Sequence, residues 1–136
     1  MPKFSQESFS KLSTCHIELQ TLFYEVIRSF DCVVLEGYRN QEEQDKAYAE
    51  GKSKLKYPHG KHNAQPSMAV DVAPYPIGNW NNLKRFYYFS GYVMGIAERL
   101  KAEGKMTLSL RWGGDWNNDH NLDDQTFNDL VHYELI

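Results

Sequence analysis

The sequence has only two cysteines in 136 residues, too few for the disulfide framework that holds many small secreted domains together. Cys15 and Cys32 fall in segments predicted as a helix and a strand, so we expect two reduced, packed thiols. No apolar run approaches the roughly 20 residues that span a bilayer, and the N-terminal MPKFSQESFSKLS lacks the apolar core of a secretory signal. The sequence therefore predicts neither membrane insertion nor export.

An excess of positive charge is also absent. Fifteen Lys and Arg against eighteen Asp and Glu give a net charge of −3, which is not the basic footprint of a nucleic-acid-binding protein. The hydrophobic fraction is 41%, enough apolar surface to offset the entropy of an ordered chain. The length fits one ordinary domain, so we expect residues 1–136 to form a single folded unit.

Hydrophobic periodicity predicts two long helices. Apolar residues three and four positions apart predict the first helix between residues 10 and 30, and the same spacing predicts the second over about 81–103. Asn40 and Glu43 match a capping box, which predicts a short helix over 41–50.

Four short strands are predicted from β-branched or alternating segments at 32–35, 68–73, 107–112 and 131–136. The polar segment 52–66 shows no periodic spacing of apolar residues and is predicted as an exposed loop. Loops of this length usually carry function. The order of elements indicates an α+β domain in which the helices pack on one side of a small, largely antiparallel sheet.

Three residues in this scheme have the chemistry of a catalytic zinc site. His62 lies near the end of the polar loop, Asp71 lies in the following strand, and His132 lies in the C-terminal strand. A catalytic zinc ion takes three protein ligands at about 2.0–2.2 Å and leaves a fourth position for water, so adjacent strands could bring this set together. Spacing alone also allows a half-buried His132 with a hydrogen-bonded ring and an Asp71 that caps a turn or pairs with a lysine.

Two further residues have the chemistry to assist such a site. Asp129 precedes His132 by three residues, and a turn into the strand would direct its carboxylate to an activated water as a general base. Arg39 precedes the short helix, where its permanent charge could hold a substrate carboxylate or a developing oxyanion. An arginine before a helix is more often a surface ion-pairing residue, so this assignment depends on the residues around it.

Four sequence blocks extend these observations: GYR at 37–39 with Gln44 and AYAEGKS at 47–53, KHN at 61–63 with PSMAVD at 66–71 and PY at 74–75, RWGGDW at 111–116, and DLVHYE at 129–134. Together they resemble the zinc-dependent D-alanyl-D-alanine carboxypeptidases and L-alanyl-D-glutamate endopeptidases, whose phage members are endolysins. The family has a metal motif of S-x-H, small residues and A-x-D, and a closing motif of an acid, two residues and His. Gly60 stands where the family often has Ser, and nine positions separate His62 from Asp71 where seven are commoner, which looks like a phage-endolysin variant.

The resemblance implies a fold similar to the hedgehog and DD-peptidase domains and a specific set of roles. It implies that His62, Asp71 and His132 bind Zn²⁺. It also implies that Asp129 acts as the catalytic base, and that Arg39 stabilises the oxyanion or anchors the substrate. His59 is the rival for the first ligand, and we prefer His62 because its Lys-His-Asn context matches and it is closer to Asp71.

By the same resemblance, we expect a phage endolysin that hydrolyses the L-Ala–D-Glu bond of the peptidoglycan stem peptide and causes host cell lysis. A D-Ala-D-Ala carboxypeptidase or dipeptidase is the first alternative, and a non-catalytic, zinc-stabilised domain that binds wall fragments is the second. We expect one zinc peptidase catalytic domain over residues 1–136, without a separate wall-binding domain, acting as a monomer. We also expect it to be held in the host cytoplasm and to reach the wall after the membrane is permeabilised.

A polar loop between residues 115 and 124 alternates oxygen ligands in the manner of a calcium loop. It departs from the EF-hand pattern, since His120 stands where Gly belongs and Thr126 where the bidentate Glu belongs. A regulatory Ca²⁺ site is therefore a hypothesis beside a plain solvated loop, in which we expect His120 to be solvated. The loop ligands are Asp115, Asn117, Asp119, Asn121, Asp123 and Asp124.

Aromatic residues near the motifs have two interpretations. Their rings could line a groove for sugar or peptide, and core packing accounts for them equally well. These residues are Tyr75, Trp112, Trp116 and Tyr133.

Overall fold

Two helices, rather than one, occupy the N-terminal part of the computed structural model, which describes residues 2–136. Helix α1 covers Gln6–Leu12 and helix α2 covers Ile17–Ile27. The single helix predicted between 10 and 30 is wrong because Nδ1 of His16 accepts the amide of Glu18 and starts a new helix there. The intervening backbone pairs with a distant segment, since the amide of His16 donates to the carbonyl of Ser67 at 2.8 Å.

The other two helices agree with the sequence. Helix α3 covers Gln41–Ala49, begins with the predicted capping box of Asn40 and Glu43, and is followed by Gly51 at a φ of 76°. Helix α4 covers Leu83–Ala102. Among the described residues, no helix combines the length and the apolarity that crossing a bilayer requires.

Four strands form one antiparallel sheet, in which they lie in the order first, second, fourth and third along the chain. The predicted strand at 107–112 is shorter than expected because the carboxylate of Glu18 accepts the amides of Thr107 and Leu108 at 2.8 and 3.0 Å. Those two amides are therefore unavailable to a sheet partner. The strands are β1 (Cys32–Glu36), β2 (Ala69–Pro74), β3 (Leu110–Trp112) and β4 (His132–Leu135).

One face of the sheet packs against the helices and forms the core. Helix α1 lies on β1, helix α4 lies on β2 and β3, and α2 packs against α4. Val70 and Val72 of β2 and Tyr133 of β4 are fully buried in this core. The predicted α+β class, with helices on a small antiparallel sheet, is confirmed.

Both cysteines lie in the core as free thiols, as expected. Burial raises the pKa of each thiol to about 12, so both stay protonated at neutral pH. Cys15 lies between the first two helices, not within one, where it forms an isolated bridge with Ser67.

The second face of the sheet is polar, because side chains alternate between the two faces of a strand. Asp71 lies between the two core valines of β2, and it is paired in register with His132 of β4. Arg111 of β3 is paired with Glu134 of β4 in the same way. This polar face carries the candidate site.

Candidate metal centre

Side chains from three elements converge on the polar face of the sheet. His62 lies in a 3₁₀ turn (Lys61–Asn63), Asp71 in β2 and His132 in β4. Oδ1 of Asp71 lies 3.2 Å from Nε2 of His62 and 3.2 Å from Nδ1 of His132. One ligand atom from each residue lies within 4.8 Å of the others, a group that could hold a metal ion.

In each imidazole, the nitrogen that faces away from Asp71 forms a hydrogen bond. The carbonyl of Gly37 accepts from Nδ1 of His62 at 2.7 Å, and Oε1 of Glu134 accepts from Nε2 of His132 at 2.8 Å. In the neutral rings, the nitrogens that face Asp71 are then left without a proton and present lone pairs. Two imidazole nitrogens and one carboxylate oxygen are a donor set that fits a divalent metal ion.

Within the cluster, the pKa of each ionisable side chain depends on the charges of its neighbours. Burial opposes ionisation of Asp71, but the adjacent His62 and His132 outweigh burial and hold its pKa far below its usual range. Burial also opposes a charged His132, but hydrogen bonds to Asp71 and Glu134 raise the pKa of its imidazole to about 9. A metal ion that binds there must displace that proton.

Glu134 holds His132 from behind and is itself held by Arg111. Its two carboxylate oxygens are divided, since Oε1 accepts from His132 and Oε2 accepts from Nη2 of Arg111 at 2.6 Å. Burial disfavours the ionised Glu134, but these two partners lower the pKa of its carboxyl to about 2. Glu134 thus stays an acceptor and fixes the orientation of the imidazole.

Asp129 lies in the loop before β4 and faces the same cleft as the cluster. Its amide donates to the carbonyl of Gly113 at 2.8 Å and its carbonyl accepts the amide of His132 at 3.1 Å. Only glycine allows this approach, because a Cβ at position 113 would collide with the carbonyl oxygen of Asp129. Burial and the negative charge of Asp71 raise the pKa of the Asp129 carboxyl to about 6, where it can both accept and return a proton near neutral pH.

Arg39 is a buried residue of the site, only 8% exposed, and not a surface ion-pairing residue. Nη2 of Arg39 lies 3.7 Å from Oδ2 of Asp71, and Nη1 donates to Oε1 of Gln44 at 3.0 Å. Its Nε lies 3.6 Å from Oε2 of Glu36. The guanidinium therefore balances part of the buried negative charge and faces the cleft.

Three residues of this arrangement had no role assigned from the sequence. Glu134 is two positions after His132, and strand periodicity alone would have put it on the same face. Arg111 could not be matched to it without the register of β3 and β4. Gln44 is fully buried under Arg39, a contact that no local pattern indicates.

The cleft beside the cluster has a volume of about 440 Å³. Two parts of the chain supply much of its lining: residues 52–55 form the first, and residues 116–117 together with 124–127 form the second. Trp116 stacks on Phe127 and its ring centroid lies 5.4 Å from that of His132. Of the four aromatic residues that could line a groove or pack in the core, Trp116 lines the cleft. Trp112 and Tyr133 pack in the core, and Tyr75 is exposed.

The other histidines and the acidic loop lie outside the cluster. His59 and His120 are both exposed, and neither joins the converging group. The buried carboxylate of Asp115 accepts the amides of Asp119 and His120, and no second metal-type cluster occurs within residues 2–136. The calcium hypothesis for this loop stays a prediction, which calcium titration followed by thermal stability and activity would test.

A buried His-Asp-His group that could hold a metal ion thus lies on the same cleft as an additional carboxylate and a guanidinium. The comparisons with known proteins define the family more narrowly. The sequence matches the phage L-alanyl-D-glutamate peptidase family over residues 1–136, and the chain belongs to this family. The resemblance found in the sequence motifs is therefore confirmed.

The fold is similar to that of a solved peptidase. The crystal structure of Serratia marcescens L-Ala D-Glu endopeptidase ChiX matches with a TM-score of 0.72 and 22% sequence identity, over 98% of this chain and 90% of that one. No curated protein matches the sequence significantly.

Proposed function

We propose that the protein is a zinc-dependent endopeptidase that hydrolyses the L-Ala–D-Glu bond in the stem peptide of peptidoglycan. Family membership supports the peptidase class and the bond. The observation that carries the proposal is the convergence of His62, Asp71 and His132 beside a cleft that also contains Asp129. Arg39 lines the same cleft.

Zinc fits the donor set, and His62, Asp71 and His132 would hold it through the nitrogen and oxygen atoms that face one another. When bound, zinc supplies Lewis-acid chemistry, since it polarises a carbonyl and lowers the pKa of water from 15.7 to about 7. The outer hydrogen bonds of Gly37 and Glu134 keep both imidazoles in the tautomer that such an ion needs.

Asp129 moves the proton. Its carboxylate takes a proton from the attacking water while the water oxygen forms a bond to the alanyl carbonyl carbon. It then returns that proton to the glutamate nitrogen as the carbon–nitrogen bond breaks, so the products are a carboxyl group and a free amine. A carboxyl with a pKa of about 6 is suited to both halves of this transfer.

Arg39 supplies fixed positive charge. Its guanidinium is buried, hydrogen-bonded to Gln44 and adjacent to Asp71. A preorganised cation in a partly dry site stabilises negative charge that develops on the carbonyl oxygen, or holds a substrate carboxylate.

We further propose that the protein serves a phage as an endolysin, acts as a monomeric single domain, and reaches the wall from the host cytoplasm once the membrane is permeabilised. The phage family supports this role. We expect the added protein to lyse permeabilised cells, and we expect the rate of lysis to match the rate at which their walls are cleaved.

The bond assignment has a direct test. Purified peptidoglycan is incubated with the protein, with and without a chelator, and the products are labelled at their amino groups. We expect new D-Glu N-termini that do not form in the presence of the chelator. Release of free D-Ala would indicate the carboxypeptidase alternative, and no product at all would contradict the enzyme proposal.

Glu134→Ala is expected to weaken zinc affinity by about 10- to 100-fold, because His132 loses the acceptor that orients its ring. Competition with a chromophoric chelator measures this affinity without any activity assay. Glu134→Gln keeps an acceptor oxygen and is expected to recover most of the affinity. Equal zinc affinity in Glu134→Ala and the wild type would contradict the orienting role.

A further inference from the structure

The cationic side chains that line the cleft differ in what they contact. Arg39 contacts carboxylates and Gln44, Lys52 pairs with Glu50 at 3.2 Å, and Nζ of Lys61 donates to the carbonyl of Leu135 at 2.7 Å. The ammonium of Lys54 contacts the ring of Phe127, 5.0 Å from its centroid, and pairs with no carboxylate among residues 2–136. Lys54 is therefore the lysine of this cleft whose ammonium has neither a carboxylate partner nor a carbonyl acceptor among residues 2–136, so all three of its N–H groups can donate to a ligand.

The contact between Lys54 and Phe127 joins the two parts of the chain that line the cleft. Lys54 belongs to residues 52–55, and Phe127 belongs to the second part. Phe127 stacks on Trp116, whose ring lies next to His132 of the candidate metal centre. An anion held at Lys54 would thus lie in the same cleft as the reacting bond.

One buried amide holds both neighbours of Lys54, through the side chain of Ser53 and the backbone of Leu55. Nε2 of Gln44 donates to Oγ of Ser53 at 3.0 Å and to the carbonyl of Leu55 at 2.6 Å. Oε1 of the same side chain accepts from Arg39 at 3.0 Å. Gln44 is fully buried, so it holds the Lys54 segment at a set position relative to Arg39.

The substrate supplies a matching anion. A glutamate residue has two carboxyl groups, and only one of them continues the peptide chain, so the other stays free. Alanine has no charged side chain, so the carboxylate next to the scissile bond belongs to the glutamate, whose amine is the leaving group. Asp124 and Asp129 also line the cleft and repel such a carboxylate, so a cation without a carboxylate partner favours its binding.

We propose that Lys54 is a specificity residue that binds the free carboxylate of the glutamate on the leaving-group side of the scissile bond. This inference rests on the proposed function, and it adds the group by which the substrate is recognised. The ring of Phe127 keeps the ammonium in the cleft when no substrate is bound, since cations are attracted to aromatic faces.

The test uses two soluble stem peptides that differ in one group, a free glutamate carboxylate or its carboxamide. On the carboxylate peptide, Lys54→Met is expected to raise KM about tenfold and to lower kcat/KM by the same factor, with kcat nearly unchanged. On the carboxamide peptide, Lys54→Met and the wild type are expected to agree within about twofold, because the charge interaction is absent from both. Lys54→Arg, which keeps the charge, is expected to recover most of the affinity.

Lys84→Met is the matched control, because Lys84 is exposed on α4 and does not line the cleft. Equal effects of Lys54→Met on the two peptides, or no effect on either, would overturn the assignment of Lys54. If the wild-type protein cleaves neither peptide, the proposed function fails before any variant is compared, so the two failures are distinguishable.

Discussion

Asp129→Ala is expected to keep its metal and to lose nearly all peptide hydrolysis, with kcat lower by about 10²- to 10⁴-fold. In the proposed mechanism this carboxylate, which lines the cleft, takes the proton of the attacking water and returns it to the leaving amine. His62, Asp71 and His132 are untouched by the change, so the donor set for the ion remains. Metal content per chain and the rate of D-Glu N-terminus formation measure the two halves of this expectation.

The stability of the metal-free Asp129→Ala variant provides a control for folding. The Asp129 carboxyl has its pKa raised from the ordinary 3.8 to about 6, so the ionised group destabilises the folded metal-free protein above that pH and has no such cost below about pH 4. Metal-free Asp129→Ala is therefore expected to be at least as stable as the wild type at pH 7. Its backbone bonds to Gly113 and His132 do not involve the side chain.

Lysis retained by Asp129→Ala would remove the assignment of the base. Asp129→Asn, which keeps the shape of the side chain, is expected to be as inactive as the alanine variant, since an amide cannot accept and return the proton.

The parts of the fold that the sequence predicted well depend on local chemistry. Helix α3 begins at Asn40 because the amide and the side chain of Glu43 close a capping box within four residues. The break between α1 and α2 depends instead on Ser67, 51 positions after His16, which pairs with the backbone there. Helical periodicity continues through this break and gives no sign of it.

In the candidate site, too, some features follow from local sequence and others from residues that are distant in the sequence. His62, Asp71 and His132 could be chosen from residue type and strand order, because few residues can bind zinc and the motifs resemble a known family. The partners behind them depend on register, since Arg111 reaches Glu134 only when β3 and β4 pair as they do. No role for Lys54 could be predicted from the sequence. Its importance becomes visible only in the structure, where the neighbouring lysines contact a carboxylate or a carbonyl and Lys54, among residues 2–136, contacts neither.

Removing the metal ion is expected to abolish hydrolysis, and adding Zn²⁺ is expected to restore it in the wild type but not in Asp71→Asn. Asp71 is the anionic member of the group, 3.2 Å from both imidazoles, so an amide in its place removes the charge that holds a cation between two neutral rings. The variant also leaves Arg39 without one of its two carboxylate partners, which adds repulsion toward a metal ion.

Thermal stability gives a second measurement of the same claim, independent of catalysis. A ligand that binds only the folded state at 1,000 times its Kd adds about 4 kcal/mol to the free energy of unfolding, so Zn²⁺ should raise the melting temperature of the wild type by several degrees. Asp71→Asn should show no such rise, whereas Asp45→Asn, an exposed change on α3, should respond like the wild type. Hydrolysis that persists after complete removal of metal would contradict the zinc proposal, because Asp129 and Arg39 alone provide no group to lower the pKa of the attacking water.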